Sequence, residues 1–337
     1  MNATAAKVYK RRQRMTMLNP ARLLTHCALF LLTLTGPVLS QEWKKVTFPI
    51  PHDLPGVSFI SKDTGFVCTV EGTVARTLDG GKSWKTREVS PGNPFEDVCF
   101  KNINLGAVCG RRGALFLTRD GGITWENHSL KDTLPTFTDV EVFTPAVSMV
   151  IGIVPDSLGR LNPIALRTID SGHTWVPIRT LGLGYSELFY RDGSPVFLQA
   201  MGYLFSSNDL GKSWSSVPTV EGQLGRAMSF AGNTGILAGL GGMCAYSIDG
   251  GINWTANPQG TASSVFIAAE MVDEQTGFIA GRGGEILRTD DRGRTWTVET
   301  PEVKFDILDL SRVGNRIYAV GREGKILVRN LPTLKTK

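Results

Sequence analysis

Between residues 95 and 127, apolar and polar positions alternate with the period of two that half-buried strands show. Asp97-Val98-Cys99-Phe100 reads as an inner strand, Gly106–Gly110 as a second and Ala114–Thr118 as a third. A glycine-rich turn then leads into Ile123-Thr124-Trp125-Glu126-Asn127, a fourth. The unit returns along the chain, paced by tryptophan. Trp43, Trp84, Trp125, Trp175, Trp214, Trp254 and Trp296 are separated by 41, 41, 50, 39, 40 and 42 positions. Four short strands recurring every ~40 residues predict a blade of a propeller.

Six of the seven tryptophans end one octapeptide, [ST]-x-D-x-G-x-[STN]-W. It begins at Thr77, Thr118, Thr168, Ser207, Ser247 and Thr289, and it places Asp79, Asp120, Asp170, Asp209, Asp249 and Asp291 three positions into each copy. The aspartate is expected to close a turn by accepting N–H groups one and two residues on. The glycine two residues later supplies a positive φ. Trp84, Trp125, Trp175, Trp214, Trp254 and Trp296 are expected to pack between sheets, each ring burying ~200 Å². Committed to turns a blade apart, the six aspartates are structural and cannot pair for glycoside hydrolysis, which needs carboxylates ~5–9.5 Å apart.

The seventh unit is incomplete. Val320–Val328 gives its middle strands and no octapeptide follows, whereas Glu42–Val46 matches a fourth strand with Trp43 one period before Trp84. The expectation is an all-β, seven-bladed propeller of four-stranded antiparallel blades, closed by pairing the N-terminal strand with the C-terminal blade. Closure removes the open edges that would otherwise recruit other chains. The 297 residues after Ser40 divide into seven units of about 42. The 50-residue gap before Trp175 places an insertion at Pro155–Asn162, between the second and third strands of its blade, on the face opposite the octapeptides. It is a candidate specificity loop.

Glycine, 38 of 337 residues, exceeds the usual ~7% without a collagen period, in keeping with many turns. The formal charge of +5 is concentrated at the start. Residues 1–40 carry six Lys or Arg and no acid, which leaves 30 − 31 = −1 for the rest, so a nucleic-acid reading falls away. A basic stretch, an apolar run Leu23–Leu39 and a small-residue exit before Gln41 read as a secretory signal. The expected organisation is thus a signal over 1–40, a propeller over 41–330 and a tail over 331–337, in a protein exported to a periplasmic or extracellular space.

Catalytic chemistry is sparse. His52, His128 and His173 have no metal-ligand spacing, and no cofactor or metal site is expected. Cys68, Cys99, Cys109 and Cys244 are expected to be buried, although Cys99 and Cys109 fall on adjacent strands and could pair. The octapeptide also occurs in sialidases, so a sialidase-type hydrolase or carbohydrate-binding propeller is the alternative. Its arginine-bearing opening segment is absent, and Glu187 and Tyr190, on one strand, should point to opposite faces. Turnover of a fluorogenic sialoside, abolished by changing Tyr190, would favour that alternative. One pattern exceeds what turns require. The loops between second and third strands read Gly110-Arg111-Arg112-Gly113, Gly281-Arg282-Gly283-Gly284 and Gly321-Arg322-Glu323-Gly324, against Val70-Glu71 or Leu240-Gly241 elsewhere. Blades six, seven and two sit close around a ring, so Arg111, Arg112, Arg282 and Arg322 form a candidate patch for carboxylates, phosphates or an acidic segment.

The repeat G-x-x-G-x-[IL]-x-x-[ST]-x-D-x-G-x-[ST]-W, clearest over Gly281–Trp296, resembles the photosystem II assembly and stability factor family (Ycf48/HCF136-like) across residues 41–330. The resemblance implies an exported, non-enzymatic propeller that binds nascent membrane subunits through an arginine-bearing face, in a thylakoid lumen where the host is photosynthetic. It maps that face onto Arg111, Arg112, Arg282 and Arg322, in a protein expected to be monomeric. A lipoprotein cysteine is absent here, and the third blade's insertion is a departure from the family pattern.

Overall fold

The computed structural model describes residues 42–131, 134–178, 185–191, 194–200, 203–218, 225–259, 264–301 and 303–332. The segment read as a signal, 1–40, and positions 333–337 of the tail lie outside the described residues. The alternating segments form seven four-stranded antiparallel sheets, each built from consecutive strands except the last. Blade two runs outward through Phe95–Phe100, Gly106–Gly110, Leu115–Thr118 and Glu126–Asn127. Blade seven takes Ile307–Val313, Arg316–Gly321 and Ile326–Asn330 from the end of the chain and Lys44–Val46 from its start. Lys44 pairs with Val328, Lys45 with Leu327 and Val46 with Ile326, which is the predicted closure.

Trp43 makes that closure a packing event. It is buried in the cluster between blades six and seven, edge-on to Phe278 with ring centroids 5.9 Å apart. Elsewhere neighbouring blades meet through stacked aromatics, each setting a second-strand ring against the next blade's inner strand. The pairs are Tyr318–Phe59, Phe66–Phe100 and Phe197–Phe230. Leu331, counted with the tail, is buried in the same cluster as Trp43.

The octapeptide turns close differently from expectation. Asp79 Oδ1 accepts the N–H of Ser83, four residues on, at 2.9 Å, and takes the Thr77 hydroxyl at 2.8 Å. Thr77 Oγ1 in turn accepts the Gly81 N–H at 2.8 Å. The same pattern recurs at Asp170 and Asp209. The leading hydroxyl therefore tightens the turn itself. Gly81 holds φ +88° and its five counterparts hold +79° to +90°, as the motif requires. These hydrogen bonds, first among them the Ser83 and Thr174 hydroxyls, hold the Asp79 and Asp170 carboxyls down at about 2.

The extra residues of blade three lengthen a hairpin. Ser148–Pro155 pairs with Leu161–Thr168 as far as Pro155 opposite Leu161. Asp156 Oδ1 closes the tip by accepting the N–H groups of Leu158 and Arg160. Leu158 and Leu161 stand exposed there. Because Phe95 pairs with Gly110 while Phe100 pairs with Gly106 and Gly106 with Thr118, turns between second and third strands lie at the inner-strand starts. The octapeptide turns lie on the other face.

Candidate functional site: an arginine face around an acidic channel

The Gly-Arg turns have a backbone cause. A Cβ on Gly110, Gly281 or Gly321 would come within 2.1, 1.9 and 2.0 Å of the carbonyl oxygens of Pro94, Val265 and Asp306. The next N–H, of Arg111, Arg282 or Arg322, donates to that same carbonyl at 2.9, 3.0 and 3.2 Å. Glycine lets the hairpin end lock onto the start of the inner strand. The residue after it is carried out onto the face, and nothing in the backbone bond selects arginine there.

The four arginines divide into two pairs. Arg111 and Arg322 line the central channel, whereas Arg112 and Arg282 are exposed outside its lining. Arg111 Nε is 2.6 Å from Glu96 Oε1, and Arg322 bridges Asp53 at 2.9 Å and Asp306 at 3.3 Å. Arg112 and Arg282 make no ion pair among the described residues. A further arginine was missed from sequence. Arg226 lies at the register shift between Gly225 and Ala227 of blade five, and this bulge residue joins the channel lining.

That bulge recurs in the inner strands of blades two to seven, and in four of them an acid follows it: Asp97, Asp139, Glu187 and Asp309. Each carboxylate accepts a backbone N–H from the next inner strand around the ring, bypassing blade one's Gly56 in its own position. Asp309 takes Val57 at 2.8 Å, Asp97 takes Val140 at 3.0 Å, Asp139 takes Leu188 at 2.6 Å, and Glu187 takes Met228. Two positions on, the hydroxyls of Ser58, Ser229 and Ser311 make the same link to Phe100, Met271 and Phe59. Polar side chains thus clasp blade to blade along the axis. The sequence signal was an apolar residue two before each acid, as in Phe95-Glu96-Asp97 and Ile307-Leu308-Asp309.

The channel is a cavity of about 630 Å³ whose walls also carry Glu141, Glu270, Arg191 and Arg312. Burial pushes the carboxyls of Asp97, Asp139, Glu187 and Asp309 above the usual range, and Asp97 shares a hydrogen bond with Asp139. Burial lifts Glu141 to about 8 from 4.5, against the pull of Lys101. A carboxyl with a raised folded-state value keeps its proton where the unfolded chain has lost it. Its contribution is therefore complete below about 4.5 and disappears as pH rises through about 8. We expect the thermal midpoint of the full chain to fall as pH is raised from 5 to 8, and Glu141→Gln to flatten that slope. A variant with the parent's slope would refute the assignment.

Glu187 and Tyr190 leave their strand on opposite sides, as alternation predicts: Glu187 reaches Met228 of blade five, whereas the Tyr190 ring packs with Leu188 and Phe143 towards blade three. Tyr190 is packed edge-on to Phe143, with the Lys101 ammonium over its ring. The four cysteines among the described residues are free. Cys68, Cys109 and Cys244 are buried, and Cys99 donates to Glu141 at 3.3 Å. Cys99 faces Ala107 and Cys109 faces Asp97, so the candidate pair is out of register.

A family profile described as a photosynthesis system assembly factor matches residues 36–148, the stretch that holds blades one and two and the Gly110–Gly113 turn. The match is to the photosynthesis system II assembly factor YCF48. The resemblance read from the repeats is thereby supported, with Arg111 and Arg112 inside the matched stretch and Arg282 and Arg322 beyond it. Among solved structures, YCF48 bound to a D1 peptide is 20% identical, with a TM-score of 0.68 over 86% of this chain and 96% of that one. YCF48 from Cyanidioschyzon merolae is 19% identical, with a TM-score of 0.67 over 86% and 99%. The WD40 propeller domain of Doa1 reaches 0.65 over 86% and 96% at 11% identity, so likeness of shape speaks for the fold alone. No curated protein matches the chain.

Proposed function

We propose that this protein is an exported, non-enzymatic scaffold that binds a segment of a membrane-associated protein partner on its arginine face, as a photosystem II assembly factor does. The observation that carries the reading is the YCF48 profile match across the blade that bears Arg111 and Arg112. A related structure is that of YCF48 bound to a D1 peptide, and a peptide segment bearing carboxylates is the kind of partner the guanidinium groups of this face would take. Among the described residues Arg112 and Arg282 have no ion-pair partner, and Arg111 and Arg322 are pre-positioned by their acidic neighbours at the channel mouth. The hairpin of blade three, projecting on the same side with Leu158 and Leu161 exposed, would add an apolar contact.

The test is binding of a labelled D1 peptide, followed by fluorescence anisotropy at two salt concentrations. Replacing Arg111, Arg112, Arg282 and Arg322 by Glu is expected to weaken binding by at least about tenfold and to remove most of its salt dependence. Affinity unchanged by all four reversals would overturn the assignment of this face.

A further inference from the structure

An inner-strand bulge turns one residue towards the channel, and the backbone there asks for no particular side chain. Blades two, three, six and seven set Glu96, Thr138, Ile267 and Leu308 at this position, all on the channel wall. Blade five sets Arg226 there, between Gly225 and Ala227. Arg226 is exposed, and among the described residues it has no ion-pair partner. Glu187 of the neighbouring blade four accepts the Met228 N–H instead. Neither backbone geometry nor ion pairing accounts for this guanidinium.

Its position gives it a role. Gly225 pairs with Gly239 at the end of the second strand, so Arg226 stands at the same end of the channel as the Gly-Arg turns. Of the four arginines on those turns, Arg111 and Arg322 reach the channel wall. Blade five lies three places from blade two, the widest separation a ring of seven has, and two from blade seven. Arg111, Arg322 and Arg226 therefore approach the mouth from different sides. Arg111 commits its Nε to Glu96, and Arg322 its Nε and Nη1 to Asp306 and Asp53, so each keeps further N–H donors.

A guanidinium fork binds a carboxylate through two charge-assisted hydrogen bonds. We propose that the acidic segment bound on the arginine face lies across the channel mouth, with one carboxylate on Arg111 or Arg322 and a second, separate carboxylate on Arg226. A segment following the rim instead would meet the blade-three hairpin on one side and the apolar Ile267 and Leu308 on the other. The inference rests on the arginine-face reading and adds a residue and a route to it. The partner must carry two acidic side chains set apart by the width of the mouth. Burial keeps Asp97, Asp139, Glu187 and Asp309 protonated to higher pH than surface carboxyls, which weakens the negative field that an incoming carboxylate meets.

The test is fluorescence anisotropy of a labelled D1 peptide on the full chain, with the peptide's carboxylates replaced by amides one at a time. Arg226→Gln is expected to weaken binding about tenfold. Arg226→Lys should recover part of that loss, because the charge remains while the fork is gone. Arg87→Gln, at an exposed position on the outermost strand of blade one, should bind as the parent does. One amide replacement in the peptide should cost little further in Arg226→Gln, and a different one should cost little further in Arg111→Gln or Arg322→Gln. Binding that falls with Arg112→Glu yet is untouched by Arg226→Gln would overturn the route and leave the face standing. Coupling of Arg226 to the same carboxylate as Arg111 or Arg322 would overturn it as well. A parent chain that does not take the peptide would remove the face, and the route with it. Each coupling is a ratio measured within one variant, so it is readable even where Arg226→Gln shifts the thermal midpoint.

Discussion

Replacing Trp43 by Ala is expected to lower the unfolding free energy by about 3–5 kcal/mol, the range for deleting a fully packed aromatic side chain. Trp43 is only 5% exposed, lies edge-on to Phe278 of blade six and immediately precedes the strand Lys44–Val46 that completes blade seven. Its loss opens a cavity between the two blades and frees the three-residue strand Lys44–Val46 from its anchor. That strand is too short to hold its pairing without a packed side chain. Denaturant unfolding of the two proteins side by side measures the effect. Lys44→Ala, at an exposed position on the same strand, should stay within about 0.5 kcal/mol of the parent. A Trp43→Ala loss below about 1 kcal/mol would mean that the ring does not depend on this joint.

The second large effect separates the glycines of the arginine turns from the arginines. Gly110→Ala puts a methyl group about 2.1 Å from the Pro94 carbonyl oxygen, so the inner strand must move and the Arg111 N–H bond to that oxygen breaks. A cost of about 3 kcal/mol is expected from overpacking and the lost bond together. The strain is one of approach, because the glycines here need no unusual backbone angle: Gly281 and Gly321 have φ of −175° and −178°. Arg111→Ala removes a largely exposed ion pair and should change stability by less than about 1 kcal/mol. Thermal denaturation of both variants tests this, and equal losses would mean that the arginine is structural and the binding proposal misplaced.

Blade number, strand order and ring closure were legible because they rest on local, repeated features. A turn motif returning every ~40 residues sets the register, and one tryptophan without its motif, Trp43, reveals the donated strand. The turn's hydrogen bonds were not legible in detail, because Thr77 and Ser83, not the adjacent N–H groups, supply the main donors to Asp79. The channel escaped notice for a geometric reason. Asp97, Asp139, Glu187 and Asp309 are scattered over more than 200 positions, and only ring closure brings them round one axis. Arg226 was invisible because a bulge turns it inward, and period-two alternation cannot anticipate an extra residue. The committed state of Arg322 was equally hidden, since Asp53 lies 269 positions away in sequence.

Pairing the first strand with the last also imposes an order of events on the chain. Lys44 meets Val328 only after every intervening blade has been made, so the final joint pairs residues with a very long sequence separation. A growing chain therefore carries an idle leading strand and an unfinished trailing sheet at once. Any product stopped before Ile326 keeps a bare hydrogen-bonding edge and an uncovered apolar wedge, which marks it for aggregation or degradation. The joint therefore forms only in molecules that contain both Lys44–Val46 and Ile326–Val328.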